Sequence, residues 1–150
     1  MPLSKISLRN FRCFDSLELS LSEGVNFFYG PNGSGKTSLL ESIYLFSSGK
    51  SFKSTNLASL IKHNNKKFLL RGYDGTKGDV VEIEKIIDKP ISVSLNNKKI
   101  ASKVLLKKFP CTPIHNNTFS FASAPPDFRR KLLDRSVATC EELFMINWFA

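Results

Sequence analysis

Residues 30–37 have the types and spacing of a phosphate-binding loop. They read G-P-N-G-S-G-K-T and match the pattern G-x-x-x-x-G-K-[ST] at every fixed position. Glycines at these positions let the backbone wrap closely around phosphates and direct its N–H groups inward. Lys36 would reach the β- and γ-phosphates as a positive charge, and the Thr37 hydroxyl would bind Mg²⁺. The predicted nucleotide contacts of this segment are Gly30, Pro31, Asn32, Gly33, Ser34, Gly35, Lys36, Thr37 and Ser38.

The pattern is a convincing indication of such a loop when a strand precedes it and a helix follows it, and the flanking sequence predicts both. Residues 25–29 (V-N-F-F-Y) are mostly apolar and predict a strand buried on both faces of a sheet. Residues 37–47 carry apolar side chains at helical spacing, and Gly49 predicts the helix end. A chance glycine-rich turn is the alternative interpretation, and this strand–loop–helix context disfavours it.

The rest of the chain predicts a small antiparallel sheet with short helices. Residues 5–9 and 17–21 alternate in polarity and predict an antiparallel pair. Residues 50–56 form a polar, basic loop, and residues 57–61 predict one or two helical turns. Residues 68–73, 80–87, 91–95 and 98–100 predict a β-meander, with Asn96-Asn97 as a hairpin turn. Residues 102–108 predict a short helix, and a helical pattern runs from Asp127 to the last residue.

Composition favours a globular protein with a polyanionic partner. The 150 residues suffice for one hydrophobic core, and the formal net charge of +9 suits nucleic acid. Two Asn-Lys runs, residues 64–67 and 96–99, are more typical of turns than of DNA contacts. Three scattered cysteines predict reduced thiols in a cytoplasmic protein. We find no signal peptide and no apolar stretch approaching the ~20 residues of a membrane span.

Five segments together resemble a known family. Residues 8–12 (L-R-N-F-R), the phosphate loop and residues 38–44 (S-L-L-E-S-I-Y) resemble the N-terminal half of ABC-type ATPases of DNA repair, which include SMC-like proteins. Residues 49–54 (G-K-S-F-K-S) are similar to the G-R-S-F-R segment of the RecF family of DNA replication and repair proteins. Residues 126–134 (P-D-F-R-R-K-L-L-D) are similar to that family's motif P-x-x-R-R-x-F-L-D. The resemblance covers nearly the whole chain.

The resemblance implies an α/β fold, a P-loop NTPase of the ABC ATPase head type. It would be lobe I with an antiparallel β-subdomain, truncated before the second half of the head. Residues 1–49 would hold the first strands, the phosphate loop and its helix, and residues 50–109 the β-meander subdomain. Residues 110–150 would hold an irregular loop and the start of the helical lobe. Family roles place Arg12 near the nucleotide phosphates, and Lys50 and Lys53 near the DNA-facing side.

The resemblance also implies a function. ATP and Mg²⁺ would be the cofactors, and the intact protein would form an ATP-dependent homodimer on single-stranded or gapped duplex DNA. It would hydrolyse ATP slowly and act with recombination mediator proteins in DNA replication, recombinational repair, DNA damage and the SOS response. The location would be the cytoplasm, with no membrane partner.

The chain departs from the family in two respects. Where the family has a Gln that completes the Mg²⁺ shell, this chain has Thr112, which could reach the metal only through a water. In addition, no strand ending in Asp-Glu and no Ser-Gly signature occurs before residue 150, and family members run to more than twice this length. We therefore expect no catalytic residue within the chain and negligible ATP hydrolysis by it alone. Two alternatives remain open: the N-terminal part of another SMC-like repair ATPase, or a non-catalytic truncated fragment.

Overall fold

The computed structural model describes residues 3–114 and 125–140. The chain divides into two compact units, Met1–Phe109 and Pro110–Ala150. The first unit contains a six-stranded antiparallel sheet, two helices and one 3₁₀ turn. The described residues of the second unit include one helix.

The sheet joins the first strands of the chain to the predicted meander. Its strands run in the spatial order β2-β1-β3-β4-β5-β6, and every neighbouring pair is antiparallel. The strands are β1 (Leu3–Phe11), β2 (Phe14–Ser20), β3 (Lys67–Asp74), β4 (Val80–Ile86), β5 (Ser92–Leu95) and β6 (Lys98–Lys99). The helices of the first unit are α1 (Lys36–Ser48) and α2 (Lys103–Lys108), and the 3₁₀ turn is Leu57–Leu60. The predicted antiparallel pair of first strands is confirmed, because Leu8 lies opposite Leu17.

Alternating side chains of the sheet form the hydrophobic core. The inward residues of β1, β3 and β4 pack against α1, as the period of two in these strands requires. Phe11 and Phe68 meet edge to face, with their ring centroids 5.2 Å apart. The fully buried side chains of this core include Ile6, Leu8, Phe11, Leu45, Phe46, Phe68, Leu70 and Ile83.

The predicted turns and helix ends are confirmed. Asn96 and Asn97 have φ of 48° and 67°, the positive values that a two-residue hairpin of type I′ needs, and they connect β5 to β6. Helix α1 ends at Gly49, which takes φ of 63° and donates its N–H to the carbonyl of Leu45. The predicted short helix at residues 102–108 is observed as α2.

The turn between β3 and β4 is held by a buried carboxylate. One oxygen of Asp74 accepts hydrogen bonds from the Thr76 hydroxyl at 2.6 Å, from the Thr76 N–H at 2.8 Å and from the Lys77 N–H at 3.1 Å. The other lies 3.5 Å from Nζ of Lys108, which also contacts Asp79, so this cation links α2 to the turn. Burial by itself raises the pKa of Asp74. The hydrogen bonds from Thr76, Lys77 and Lys108 outweigh it and lower that pKa to about 2.

The strand predicted at residues 25–29 is wrong. These residues form no strand, and Val25, Phe27 and Tyr29 are 75%, 83% and 94% exposed. Only Phe28 of the four apolar residues packs against the core. A strand buried on both faces needs neighbouring strands to take its backbone hydrogen bonds and layers to cover its side chains. No strand of the described residues pairs with this segment.

The second unit contains helix α3, Pro126–Cys140. Proline is well tolerated at the first helical position, and Asp127 in the first turn favours the positive end of the helix dipole. This confirms the helix start predicted near Asp127. The predicted continuation through residues 141–150 and most of the irregular segment, residues 115–124, lie outside the described residues. Within the described parts of the chain, no helix is long and apolar enough to cross a membrane.

Candidate functional site

The phosphate loop lies exposed at the N-terminus of α1. Its last glycine, Gly35, is the N-cap with φ of 92°, and no side chain caps the helix. The first helical hydrogen bond runs from the Leu39 N–H to the Gly35 carbonyl at 2.9 Å. The first turn of α1 contains no acidic residue. The N–H groups and the positive dipole end of this helix are therefore available to an anion.

Lys36 closes over the phosphate loop. Its ammonium group donates hydrogen bonds to the carbonyls of Gly30 and Pro31, each at 2.8 Å. Both acceptors belong to the same loop, so the positive charge lies against the loop backbone. Phosphate oxygens are stronger partners for an ammonium group than neutral carbonyls. The structure thus brings the sequence-predicted lysine and loop together in a geometry that suits phosphate binding.

The donor set of the loop fits a triphosphate and its magnesium ion. Residues 31–34 are exposed, and Ser34 N–H donates to the Pro31 carbonyl at 3.3 Å to form a tight turn. Thr37 is exposed in the first turn of α1, and Ser38 is half-buried beside it. A hydroxyl oxygen is a hard ligand of the kind Mg²⁺ prefers, and this ion usually keeps few protein ligands beside phosphate oxygens and waters. In residues 3–114 and 125–140, no three His, Cys, Asp or Glu side chains form a metal-binding cluster.

The turn between β1 and β2 packs directly on the phosphate loop. A Cβ placed on Gly35 would lie 2.6 Å from Cζ of Phe14 and 2.7 Å from Sγ of Cys13, closer than real contacts allow. Neither Cys13 nor Phe14 is among the site residues predicted from the sequence. Their one signal was their position directly after Arg12, which the family resemblance had placed near the nucleotide.

Arg12 lies in this same turn and is held by α1. Its Nε donates to Oε2 of Glu41 at 2.9 Å, and its Nη2 donates to Oε1 at 3.0 Å. Its Nη1 donates to the Ser59 carbonyl at 3.3 Å. The backbone of Arg12 is left-handed, with φ of 51°. A nucleotide contact of Arg12 stays a prediction. Glu41 is not among the site residues predicted from the sequence, because a single acidic residue in a helix ordinarily faces solvent.

The remaining predicted site residues lie on exposed surfaces. Lys50 and Lys53 are both exposed in the basic loop, residues 50–56, which follows α1. Their accessibility is compatible with a DNA contact, which stays a prediction. Thr112 is exposed and belongs to the second unit, so its role at the metal also stays a prediction.

Known proteins resemble this chain along most of its length. The family described as AAA ATPase domain matches residues 1–122. The DNA replication and repair protein RecF of Aliivibrio salmonicida is 35% identical over 154 aligned positions, which cover 99% of this chain and 42% of that protein. A RecF of Pseudoalteromonas translucida is 37% identical over 153 positions, with the same coverage. The chain thus spans about two fifths of the length of the curated relatives it matches.

A solved structure supports the same likeness. The chain superposes on the recombination mediator protein RecF-ATP of the RecFOR pathway with a TM-score of 0.83 and 26% identity, covering 98% of this chain and 40% of that one.

Proposed function

The chain belongs to the AAA ATPase domain family and matches RecF proteins along nearly all of its length, and on this premise we propose that it binds ATP and Mg²⁺ as part of a RecF-like DNA repair ATPase. The observation that carries the proposal is the geometry of the phosphate loop. Lys36 lies over an exposed, glycine-rich backbone at an uncapped helix N-terminus. This arrangement is complementary to the negative charge of a triphosphate.

Within this proposal different groups of the loop contact the phosphates and the magnesium ion. The N–H groups of the loop and of the first turn of α1 bind the phosphates, and Lys36 neutralises the β- and γ-phosphates. Thr37 supplies one oxygen ligand to Mg²⁺, and Thr112 contributes at most through a water. Arg12, in the adjoining turn, adds a second positive charge near the phosphates. The bound metal supplies charge neutralisation of the nucleotide.

DNA is the proposed macromolecular ligand. The formal net charge of +9 favours a polyanion, and Lys50 and Lys53 present exposed ammonium groups on the basic loop. The resemblance favours single-stranded or gapped duplex DNA. We propose, on the same basis, ATP-dependent homodimerisation, recombination mediator proteins as partners, and a role in DNA damage and the SOS response. A cytoplasmic location fits a protein that works on DNA.

The RecF-like interpretation is favoured over another SMC-like repair ATPase. The RecF relatives share 32% to 37% of the aligned residues, whereas a solved SMC ATPase with a TM-score of 0.69 shares 19%. Identity at the lower value supports the fold alone.

Titration with a fluorescent ATP analogue tests the proposal. We expect Mg²⁺-dependent binding by the chain, at least tenfold weaker binding by Lys36→Ala, and loss of the Mg²⁺ dependence in Thr37→Ala, because charge-assisted contacts of this kind contribute about 1.5–3 kcal/mol. Lys66→Ala, which removes an exposed lysine directly before β3, is the matched control. Binding by Lys36→Ala equal to that of the control would contradict the proposal.

A further inference from the structure

Glu41 is a buried carboxylate in the middle of α1. It is fully inaccessible, and both of its oxygens accept hydrogen bonds. The guanidinium of Arg12 binds it in a two-pronged arrangement, with one N–H on each oxygen. The Ser51 hydroxyl donates to the oxygen that also receives Nη2. A buried charge is tolerated only when its hydrogen-bonding capacity is used, so these partners are constrained to stay in place.

Ser51 connects Glu41 to the backbone of the basic loop. Its Oγ accepts hydrogen bonds from the N–H groups of Lys53 and Ser54, each at 2.9 Å, while it donates to Glu41. The hydroxyl therefore connects the loop backbone to the helix carboxylate. This side chain therefore fixes the backbone at Lys53 and Ser54 directly.

One face of α1 carries the whole arrangement. Tyr44 and Ser48 follow Glu41 at three and seven positions, the spacing of a single helical face. The ring of Tyr44 meets that of Phe52 edge to face at 5.6 Å, and the Ser48 hydroxyl accepts from the Lys50 N–H at 3.1 Å. The basic loop is thus packed along the same helix that begins at Lys36 in the phosphate loop.

The hydrogen bonds that hold Arg12 leave some of its N–H groups available to a ligand. Its hydrogen bonds to Glu41 and to the Ser59 carbonyl use three of the five N–H donors of a guanidinium. The plane of the group is fixed while one N–H on each terminal nitrogen remains for phosphate oxygens. The turn that carries Arg12 is the one that touches Gly35 of the phosphate loop. Pre-orientation of this kind reduces the entropy lost on binding.

We propose that Glu41 is a positioning residue that orients Arg12 toward the nucleotide and fixes the backbone of the basic loop at the same time. The part concerning Arg12 rests on the proposed nucleotide site. The part concerning the loop rests on the hydrogen bonds of Ser51 alone. One carboxylate thereby links the triphosphate site to the exposed lysines of the neighbouring loop.

Three variants and two measurements test this inference. The measurements are the affinity for a fluorescent ATP analogue and the amide hydrogen exchange of Lys53 and Ser54. Glu41→Gln, which preserves size and removes charge, should weaken nucleotide binding about tenfold and speed that exchange about tenfold. Ser51→Ala should speed the exchange and leave nucleotide affinity within about twofold. Arg12→Lys, which cannot bind in two prongs, should weaken nucleotide binding and leave the exchange unchanged.

Glu23→Gln, at an exposed turn, is the matched control and should change neither measurement. A purely stabilising role of Glu41 would lower the melting temperature of Glu41→Gln without changing affinity or exchange well below that temperature, and this result would overturn the inference. If Glu41→Gln does not fold, the other two variants test the inference. Ser51→Ala should change the exchange and Arg12→Lys should change the nucleotide affinity, and equal effects of these two variants on both measurements would overturn the inference. Absence of nucleotide binding by the unmodified chain would contradict the proposed function, and the exchange of Lys53 and Ser54 in Glu41→Gln would still support or overturn the positioning of the loop.

Discussion

Gly35 and Cys13 are in such close contact that a Cβ on the glycine would lie 2.7 Å from the cysteine sulfur. The contact joins the turn between β1 and β2 to the last glycine of the phosphate loop. A side chain at position 35 would therefore disturb two elements at once. The left-handed backbone of Gly35, with φ of 92°, adds strain for any other residue.

Gly35→Ala should destabilise the protein by roughly 1–3 kcal/mol, the cost of a strained backbone conformation, and should weaken nucleotide binding. Urea unfolding and titration with a fluorescent ATP analogue measure the two effects. Gly24→Ala is the matched control, because a Cβ at Gly24 meets nothing within 4 Å. Equal unfolding midpoints for the two variants would show that the close contact is not maintained in solution.

Asp74 should make stability depend on pH in the acid range. Its pKa of about 2 in the folded protein lies below the ordinary value of 3.8, so the folded state favours the charged form. The resulting stabilisation is complete above about pH 5 and is lost as the pH falls through 3.8 toward 2. Urea unfolding from pH 6 to pH 2 should therefore show Asp74→Asn less stable than the parent at pH 6, with the difference shrinking in acid. A difference that stayed constant down to pH 2 would refute the assignment, and Glu23→Gln is the control for a general charge effect.

Phe27 and Phe28 should respond in opposite ways to the same substitution. Phe27 is 83% exposed, so Phe27→Ser should change the free energy of unfolding by less than about 0.5 kcal/mol. Phe28 packs against the core, so Phe28→Ser should destabilise by about 1–3 kcal/mol. Urea unfolding of both variants provides the measurement. A large loss of stability in Phe27→Ser would mean that the segment is buried in solution.

Binding to DNA should weaken with salt because of the net charge of +9. The double variant Lys50→Gln, Lys53→Gln should lower the slope of log affinity against log salt by about 1–2, one unit for each lost phosphate contact. Fluorescence anisotropy with a labelled gapped duplex between 50 and about 200 mM salt measures this slope. Lys98→Gln, Lys99→Gln removes the same charge from exposed positions of β6 and should leave the slope nearer that of the parent. Equal slopes for the two double variants would argue against a DNA contact at the basic loop.

Features fixed by neighbouring residues could be predicted from the sequence. The Asn96-Asn97 hairpin and the end of α1 at Gly49 depend on local backbone preferences, which short segments reveal. The helix that follows the phosphate loop could also be predicted, because the apolar spacing of α1 is local, whereas the strand predicted before the loop is absent at residues 25–29.

Features that depend on distant partners could not be predicted. The apolar pattern of residues 25–29 indicates a strand, but pairing requires a neighbouring strand that the local pattern does not specify. The local sequence predicts a solvent-facing Glu41, because its hydrogen-bond partners Arg12 and Ser51 belong to two other segments of the chain. Packing of Cys13 on Gly35 likewise emerges only when the first turn folds back on the loop.

The place of β1 between β2 and β3 has a consequence for how the chain folds. Ile6 pairs with Leu19 on one side and with Gly72 on the other. The first hairpin can close early, but the second edge of β1 must wait until β3 has left the ribosome, after the phosphate loop and α1. Until then an unpaired edge and the apolar face of the hairpin are open to other nascent chains. The emergence of β3, which ends at Asp74, is thus the point at which the second edge of β1 can be paired.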